Sequence, residues 1–238
     1  MSEWKAKRFW KAAAVTETGG GFTVELDGRP VKTPAKAALI VPSRALAQEI
    51  AQEWDAQEGE IRPAGMPATR FANAAIDKVA HQHGEVAQML AEYGDADLLC
   101  YRAAGPVELV QLQVAAWDPL LDWAESVLGA RLIPVQGVMH VAQARCALEH
   151  LAGQVRQMDH FSLTAFHDLV SLSGSLIIGF AALHDVHPPE TLWRLSRIDE
   201  AWQAELWGRD EEAHAAAQRK QADFFNAKRF YDHLRNQS

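Results

Sequence analysis

Apolar and polar residues alternate near the start of the chain, and a helical spacing replaces that alternation beyond Val41. Phe22-Thr-Val-Glu-Leu26 has the two-residue period of a half-buried strand. Gly19-Gly20-Gly21 before it reads as a turn, and Asp27-Gly28 after it is a strong hairpin signal, because glycine tolerates the positive φ of tight hairpins. Pro30–Pro34 and Ala38–Val41 read as further short strands, with the prolines at edges or ends because neither can donate to a ladder. Ser43 is placed to cap a helix in which Leu46, Ile50 and Trp54 recur every fourth residue on one face. Gly59, Pro63, Gly65 and Pro67 then interrupt any regular element. They divide the chain into a strand-rich α/β part, 1–64, and a helical part, 65–238.

Beyond that loop the spacing predicts helices over 67–82, 84–93, 106–128, 141–157, 162–183, 189–207 and 210–233, with glycines between most of them. Arg131–Val135 is a short apolar run suited to one strand or a packed loop. Leu169–Leu183 carries no charge but is shorter than the roughly 20 residues of a membrane span, so it reads as part of a buried helix. Ser171, Ser175 and Gly179, four apart on that helix, would let a neighbouring helix approach closely. Leu195, Ile198, Trp202 and Leu206 form an apolar stripe, and Phe224, Phe225, Phe230 and Tyr231 would dock the last helix. The expected fold class is α+β: a small N-terminal part with short antiparallel strands, then a larger, mainly α-helical domain.

Composition narrows the function. With 48% hydrophobic residues the chain can build a core, unlike a disordered protein. A net charge of −8 disfavours nucleic acid and favours a basic partner surface. Two cysteines, Cys100 and Cys146, speak against a disulfide framework and for a reducing compartment, with Cys100 expected to be a buried structural thiol. The first ten residues are basic but are followed by no apolar run, so a secretory signal is not expected and a bacterial cytoplasm is the simplest location.

Candidate chemistry is sparse. There is no phosphate-binding loop, no H-E-x-x-H and no C-x-x-C, and no cofactor or metal is implied. His184 and His187 could serve a metal-dependent hydrolase of small molecules, the alternative reading, although a solvated loop before Pro188-Pro189 is the simpler explanation. His81-Gln-His83 lacks an acidic or cysteine ligand at metal spacing, and His160 and His167, seven apart on one helical face, read as a helix cap and a partly buried polar residue. Ser173-Gly-Ser175 lies within a predicted helix rather than a nucleophile elbow. Two segments stand out instead. Glu53-Trp54-Asp55 ends the first helix, where Trp54 continues the Leu46/Ile50 stripe and Trp54 and Asp55 support the fold or a groove. Asp199, Glu200, Trp202, Glu205 and Trp207 combine acids with aromatics, a composition suited to binding a protein partner.

Several ordered segments carry a family resemblance: Arg8-Phe-Trp10, Leu26-Asp-Gly-Arg-Pro-Val-Lys-Thr-Pro34, Ala51-Gln-Glu-Trp-Asp55 with Ile61-Arg-Pro63, and Met66-Pro67 through Asn73. They continue with Tyr93 through Asp97-Leu-Leu-Cys-Tyr-Arg102, Trp117-Asp-Pro-Leu120, Ser171 to Leu183, and Asp199-Glu200 through Trp207-Gly208. Over roughly residues 8–213 the chain resembles the assembly chaperones for the alpha subunit of the F-type ATP synthase head, found in mitochondria and bacterial relatives. The resemblance implies a two-part fold, ATP-independent binding of the free alpha subunit, no catalysis, no membrane insertion, and a mitochondrial matrix location for eukaryotic relatives. It also implies that Asp199 and Glu200 face the partner while Trp54 supports the fold or a groove.

Overall fold

Strands β1 (Ala13–Thr18) and β2 (Gly21–Leu26) pair antiparallel, with Val15 opposite Val24, in a computed structural model that describes residues 7–208 and 210–236. β3 (Arg29–Pro30) extends the sheet after the Asp27-Gly28 turn, in the order β1-β2-β3. The alternation in β2 buries Val24 and Leu26. β1 has no such alternation and forms because β2 offers it a ladder.

Pro30–Pro34 and Ala38–Val41 do not form the two expected strands. Only Arg29–Pro30 is a strand, and the later residues form isolated bridges, Lys32 to Ala38 with each other and Val41 to Phe22 of β2. The prolines remove donors, and a tight turn held by Thr33, whose Oγ1 accepts from the Ala37 N–H at 3.1 Å, uses the remaining backbone groups.

Helix α1 (Arg44–Asp55) starts where expected: Ser43 Oγ accepts from the Leu46 N–H at 3.2 Å. Leu46 and Ile50 are fully buried, each contributing roughly 2 kcal/mol. The helix expected over 67–82 is α2 (Pro67–Ala74), which widens into a π-helical turn at Ala75–Val79.

The chain divides into two units. One contains residues up to Gln82, His160–Ala165 and the chain from Arg229 onward; the other contains His83–Asp159 and Phe166–Lys228. In the second lie α3 (His83–Ala91), α4 (Val107–Leu128), a parallel pair β4 (Tyr101–Arg102) and β5 (Val135–Gln136), and α5 (Arg145–Arg156). Of the run Arg131–Val135, only Val135 enters a strand, while Leu132 is buried.

The helix expected over 162–183 is two helices, α6 (His160–Ser173) and α7 (Leu176–Leu183). Gly174 breaks it in the left-handed region, φ +73°, and Ser175 recaps the chain by accepting from the Ile178 N–H at 3.0 Å. Ser173-Gly-Ser175 is therefore an inter-helix turn, not a helix interior. Ser171 is exposed and Ser175 is a cap, so the three small residues do not form one packing stripe. Gly179 alone meets that expectation: it lies against Val170 and Phe166 of α6.

The segment 189–207 also splits, into α8 (Pro189–Leu195) and α9 (Ile198–Trp207), where the Ser196 hydroxyl donates back to the Trp193 carbonyl at 2.7 Å. α10 (Glu211–Arg235) closes the described chain, with Phe224 and Phe230 buried. Its residues through Lys228 belong to the second unit and those from Arg229 to the first; α6 is divided likewise after Ala165.

Candidate partner-binding surface

The acidic, tryptophan-bearing segment occupies α9, on a floor built by the Asp97–Arg102 motif and α4. Asp97 is completely buried and caps two elements at once, accepting from the Leu99 N–H at 3.0 Å and, at the start of α7, from the Ile177 N–H at 3.1 Å. Burial pushes its carboxyl up to about 6, against the hydrogen bonds that favour the ionised form. The next residues continue inward. Leu98 donates to the Gly174 carbonyl at 3.1 Å, Leu99 is buried, and the Cys100 thiol is buried and pushed up to about 12, first by desolvation and then by Asp97, so it is a poor nucleophile.

Arg102 closes the motif. Its Nε donates to the Leu99 carbonyl at 2.9 Å, its guanidinium pairs with Asp118 at 2.7 Å, and it lies over the Trp117 ring. Trp117, fully buried in α4, donates its Nε1–H to the Leu195 carbonyl at 2.8 Å and so fixes the corner between α8 and α9.

Gln113, one turn earlier on α4, is the second tie. Its Oε1 accepts from the Ala103 N–H at 2.8 Å and its Nε2 donates to Asp199 Oδ1 at 2.6 Å. A buried amide left without its partners costs roughly 1–3 kcal/mol, so this bond holds the first turn of α9 in place.

Asp199 is therefore half-buried and serves the floor. Ile198 beneath it is buried, and Trp202 is half-buried. Glu200 pairs at the surface with Arg197 at 2.8 Å. Glu205, Leu206 and Trp207 face solvent, with Trp207 79% exposed. The apolar stripe expected through Leu206 thus stops at Trp202. The helix ends where the Gly208 N–H donates to the Ala204 carbonyl at 3.1 Å. α9 brings all five candidate residues onto one short helix, but only Glu200, Glu205 and Trp207 present themselves fully to solvent.

Trp54 and Asp55 lie in the other unit, at the end of α1. The Trp54 ring meets Trp10 edge-on at 5.2 Å, and its buried Nε1–H has no hydrogen-bond partner among the described residues. Asp55 pairs with Arg8 at 3.0 Å, and the same guanidinium reaches the Gln57 carbonyl at 2.8 Å. Arg8-Phe-Trp10 and Glu53-Trp-Asp55 are thus one cluster. Within it Glu53 is buried and caps α2, a role the sequence did not suggest, by accepting from the N–H groups of Ala68 (2.7 Å) and Thr69 (2.8 Å) and from Thr69 Oγ1 (2.7 Å). Desolvation raises its carboxyl above the usual range, against these bonds.

His184 and His187 are exposed, and the His184 ring lies edge-on to Trp123 at 5.5 Å. Among the described residues no three His, Cys, Asp or Glu side chains are grouped to hold a metal ion. His83 bonds to the Met158 carbonyl at 2.7 Å and His167 to Asp168 at 2.8 Å. None of the described helices is long and apolar enough to cross a membrane.

A family model described as ATP12 chaperone protein matches residues 7–125. The chain is 29% identical to the mitochondrial protein atp12 of Schizosaccharomyces pombe over 220 residues, 87% of this chain and 76% of that protein. The crystal structure of Atp12 from Paracoccus denitrificans shares 48% identity and superposes with a TM-score of 0.95, covering 98% of this chain and 100% of that one. A crystal structure from Agrobacterium tumefaciens shares 43% identity with a TM-score of 0.92, covering 96% of this chain and 86% of the other.

Proposed function

Because this chain belongs to the ATP12 chaperone family, we propose that it holds the unassembled alpha subunit of the F-type ATP synthase catalytic head, without using ATP, until that subunit joins its beta neighbours. A free subunit of a ring exposes apolar area that its neighbours later cover, and such area aggregates. Holding it requires a complementary surface and no turnover.

The observation that carries this reading is the exposed end of α9, where Leu206 and Trp207 stand in solvent beside Glu200 and Glu205 while Gln113 anchors the other end through Asp199. An exposed tryptophan on a fixed helix is suited to act as an anchor, because little conformational freedom is lost on binding. The acids match the basic partner surface expected from the net charge of −8. A bacterial cytoplasmic location is part of the proposal.

The test is co-expression with the alpha subunit, followed by light scattering of the purified pair. The protein is expected to keep the subunit in solution. Trp207→Ser is expected to weaken that at least about tenfold without changing the chaperone's own unfolding midpoint. Asp199→Lys should weaken it too, with a stability loss from Gln113. Equal aggregation of the alpha subunit with and without the protein would sink the proposal.

A further inference from the structure

We propose a second contact surface for the client: the outer edge of β1, to which an extended segment of the bound subunit adds as a fourth strand. The inference rests on the chaperone reading above but uses residues outside α9.

The two edges of the sheet are built differently. β3, at one edge, is two residues long and carries Arg29 and Pro30, features that discourage further pairing. β1, at the other, runs six residues without proline, lysine or bulge, and its register with β2 is unbroken from Ala13 opposite Leu26 to Thr18 opposite Gly21. Phe22 and Val24 of β2 turn their backbone groups away from β1, toward Val41 and Val31. Their cross-strand neighbours Glu17 and Val15, and Ala13 two residues before, therefore turn theirs to the outer edge. Three N–H groups and three carbonyls point that way, and none of them has a hydrogen-bond partner among the described residues. From Ala13 to Glu17 they span about 14 Å. Ala13 and Val15 are half-buried and Glu17 is exposed, so the edge is open to solvent. The strand is fastened at both ends: the Lys11 and Ala12 N–H groups donate to the Asp27 carboxylate at 3.0 and 3.1 Å, and the Thr18 hydroxyl donates to the Gly21 carbonyl at 3.2 Å. A partner would meet a preformed row of donors and acceptors.

The row itself selects the occupant. Donor and acceptor pairs that recur every second residue match an extended backbone, whereas a helix satisfies its own backbone groups and has none to offer along its length. Ala13 and Val15 beside the edge are small, which suits a segment of β-branched residues able to pair with them across the strands. A second copy of this chain fits less well. Pairing β1 with β1 would bring α1, which packs on β1, alongside its own copy. The exposed positions of α1 are Arg44, Gln48, Gln52 and Asp55, which offer no apolar area to bury. One pair of short strands is too small a contact to hold two copies together by itself. For a client already engaged by α9 the same pairing adds to an existing hold.

The test uses the full chain and the purified alpha subunit, with hydrogen exchange read at single amides. In the free protein Ala13, Val15 and Glu17 are expected to exchange quickly, and Ala14, Thr16 and Thr18, which are bonded to β2, slowly. Binding of the subunit is expected to slow the first set at least about tenfold, an alternating pattern that only strand addition produces. Val15→Pro removes an outward N–H without touching the β2 ladder and is expected to weaken binding at least about tenfold. Ala13→Pro, at the first residue of the strand where proline is best tolerated, serves if Val15→Pro lowers the unfolding midpoint. Unchanged exchange at the three amides in the complex, unaltered binding by both variants, or slowing that follows chaperone concentration without the subunit overturns the edge while leaving the holding function standing. If the unaltered protein does not bind the alpha subunit at all, the functional reading falls and the edge with it.

Discussion

Replacing Gly179 by alanine places a methyl group where α7 touches α6. A Cβ there would lie 2.6 Å from Val170 Cγ2 and 2.9 Å from Phe166 Cε2, well inside contact distance. Neither neighbour can yield easily: both are fully buried, and the Phe166 ring is packed against Phe180 at 4.8 Å between centroids. Taken alone, glycine to alanine in a helix interior gains about 1 kcal/mol. Overpacking a tight core costs about 1–3 kcal/mol, and the fixed neighbours favour the upper part of that range. The expected net effect is a loss of about 1–2 kcal/mol, or roughly 2–8 °C in Tm for a chain of this size. Gly153 in α5 is the matched control, because a Cβ there meets nothing within 4 Å. Gly153→Ala should stabilise by about 0.5–1 kcal/mol. Urea unfolding of both variants, with m unchanged, separates the two contributions. A Gly179→Ala protein as stable as the parent would refute the tight α6–α7 approach.

The remaining expectations concern buried acids and α4. Glu53→Ala removes the cap of α2 and strands three donors, for a loss of roughly 2–4 kcal/mol in urea unfolding, whereas Glu53→Gln, which keeps one acceptor, should lose less. Asp97 has a folded carboxyl raised to about 6 from 3.8, so its contribution is fully present below pH 3.8 and is lost as pH rises through about 6. That loss amounts to roughly 3 kcal/mol over the window. Stability of the parent minus that of Asp97→Asn, measured from pH 3.5 to 7, should therefore fall with pH, and a rise would contradict the assignment. Trp117→Phe removes the donor to the Leu195 carbonyl and should cost about 1–3 kcal/mol, with hydrogen exchange at the start of α9 speeding up.

Local signals were the legible ones. Alternation placed β2, Asp27-Gly28 placed the hairpin turn, and Ser43 placed the start of α1, because each depends on residues a few positions apart. The break at Gly174 was hidden by the apolar residues on both sides, which keep a helical composition through a left-handed turn. β1 was not visible because Ala13-Ala-Val-Thr-Glu-Thr18, although it holds the β-branched Val15, Thr16 and Thr18, shows no apolar–polar alternation and gains its ladder from β2. The candidate helix α9 was legible from its tryptophans and acids. The role of Asp199 in the floor was not, since its partner Gln113 lies 86 residues earlier. The capping role of Glu53, within the segment Glu53-Trp-Asp55 that did stand out, was hidden for the same reason: the donors it satisfies open a different helix.

The composition of the first unit bears on how the protein is made. Phe230 is buried and its ring lies 5.1 Å from that of Phe71, and the Ser43 hydroxyl donates to the carbonyl of His233 at 2.6 Å. The opening strands and α1 thus belong to a core whose last members are the final turns of α10. During synthesis that core stays unfinished until the end of α10 has left the ribosome. A nascent or prematurely ended product would leave Phe71 bare and prone to clump.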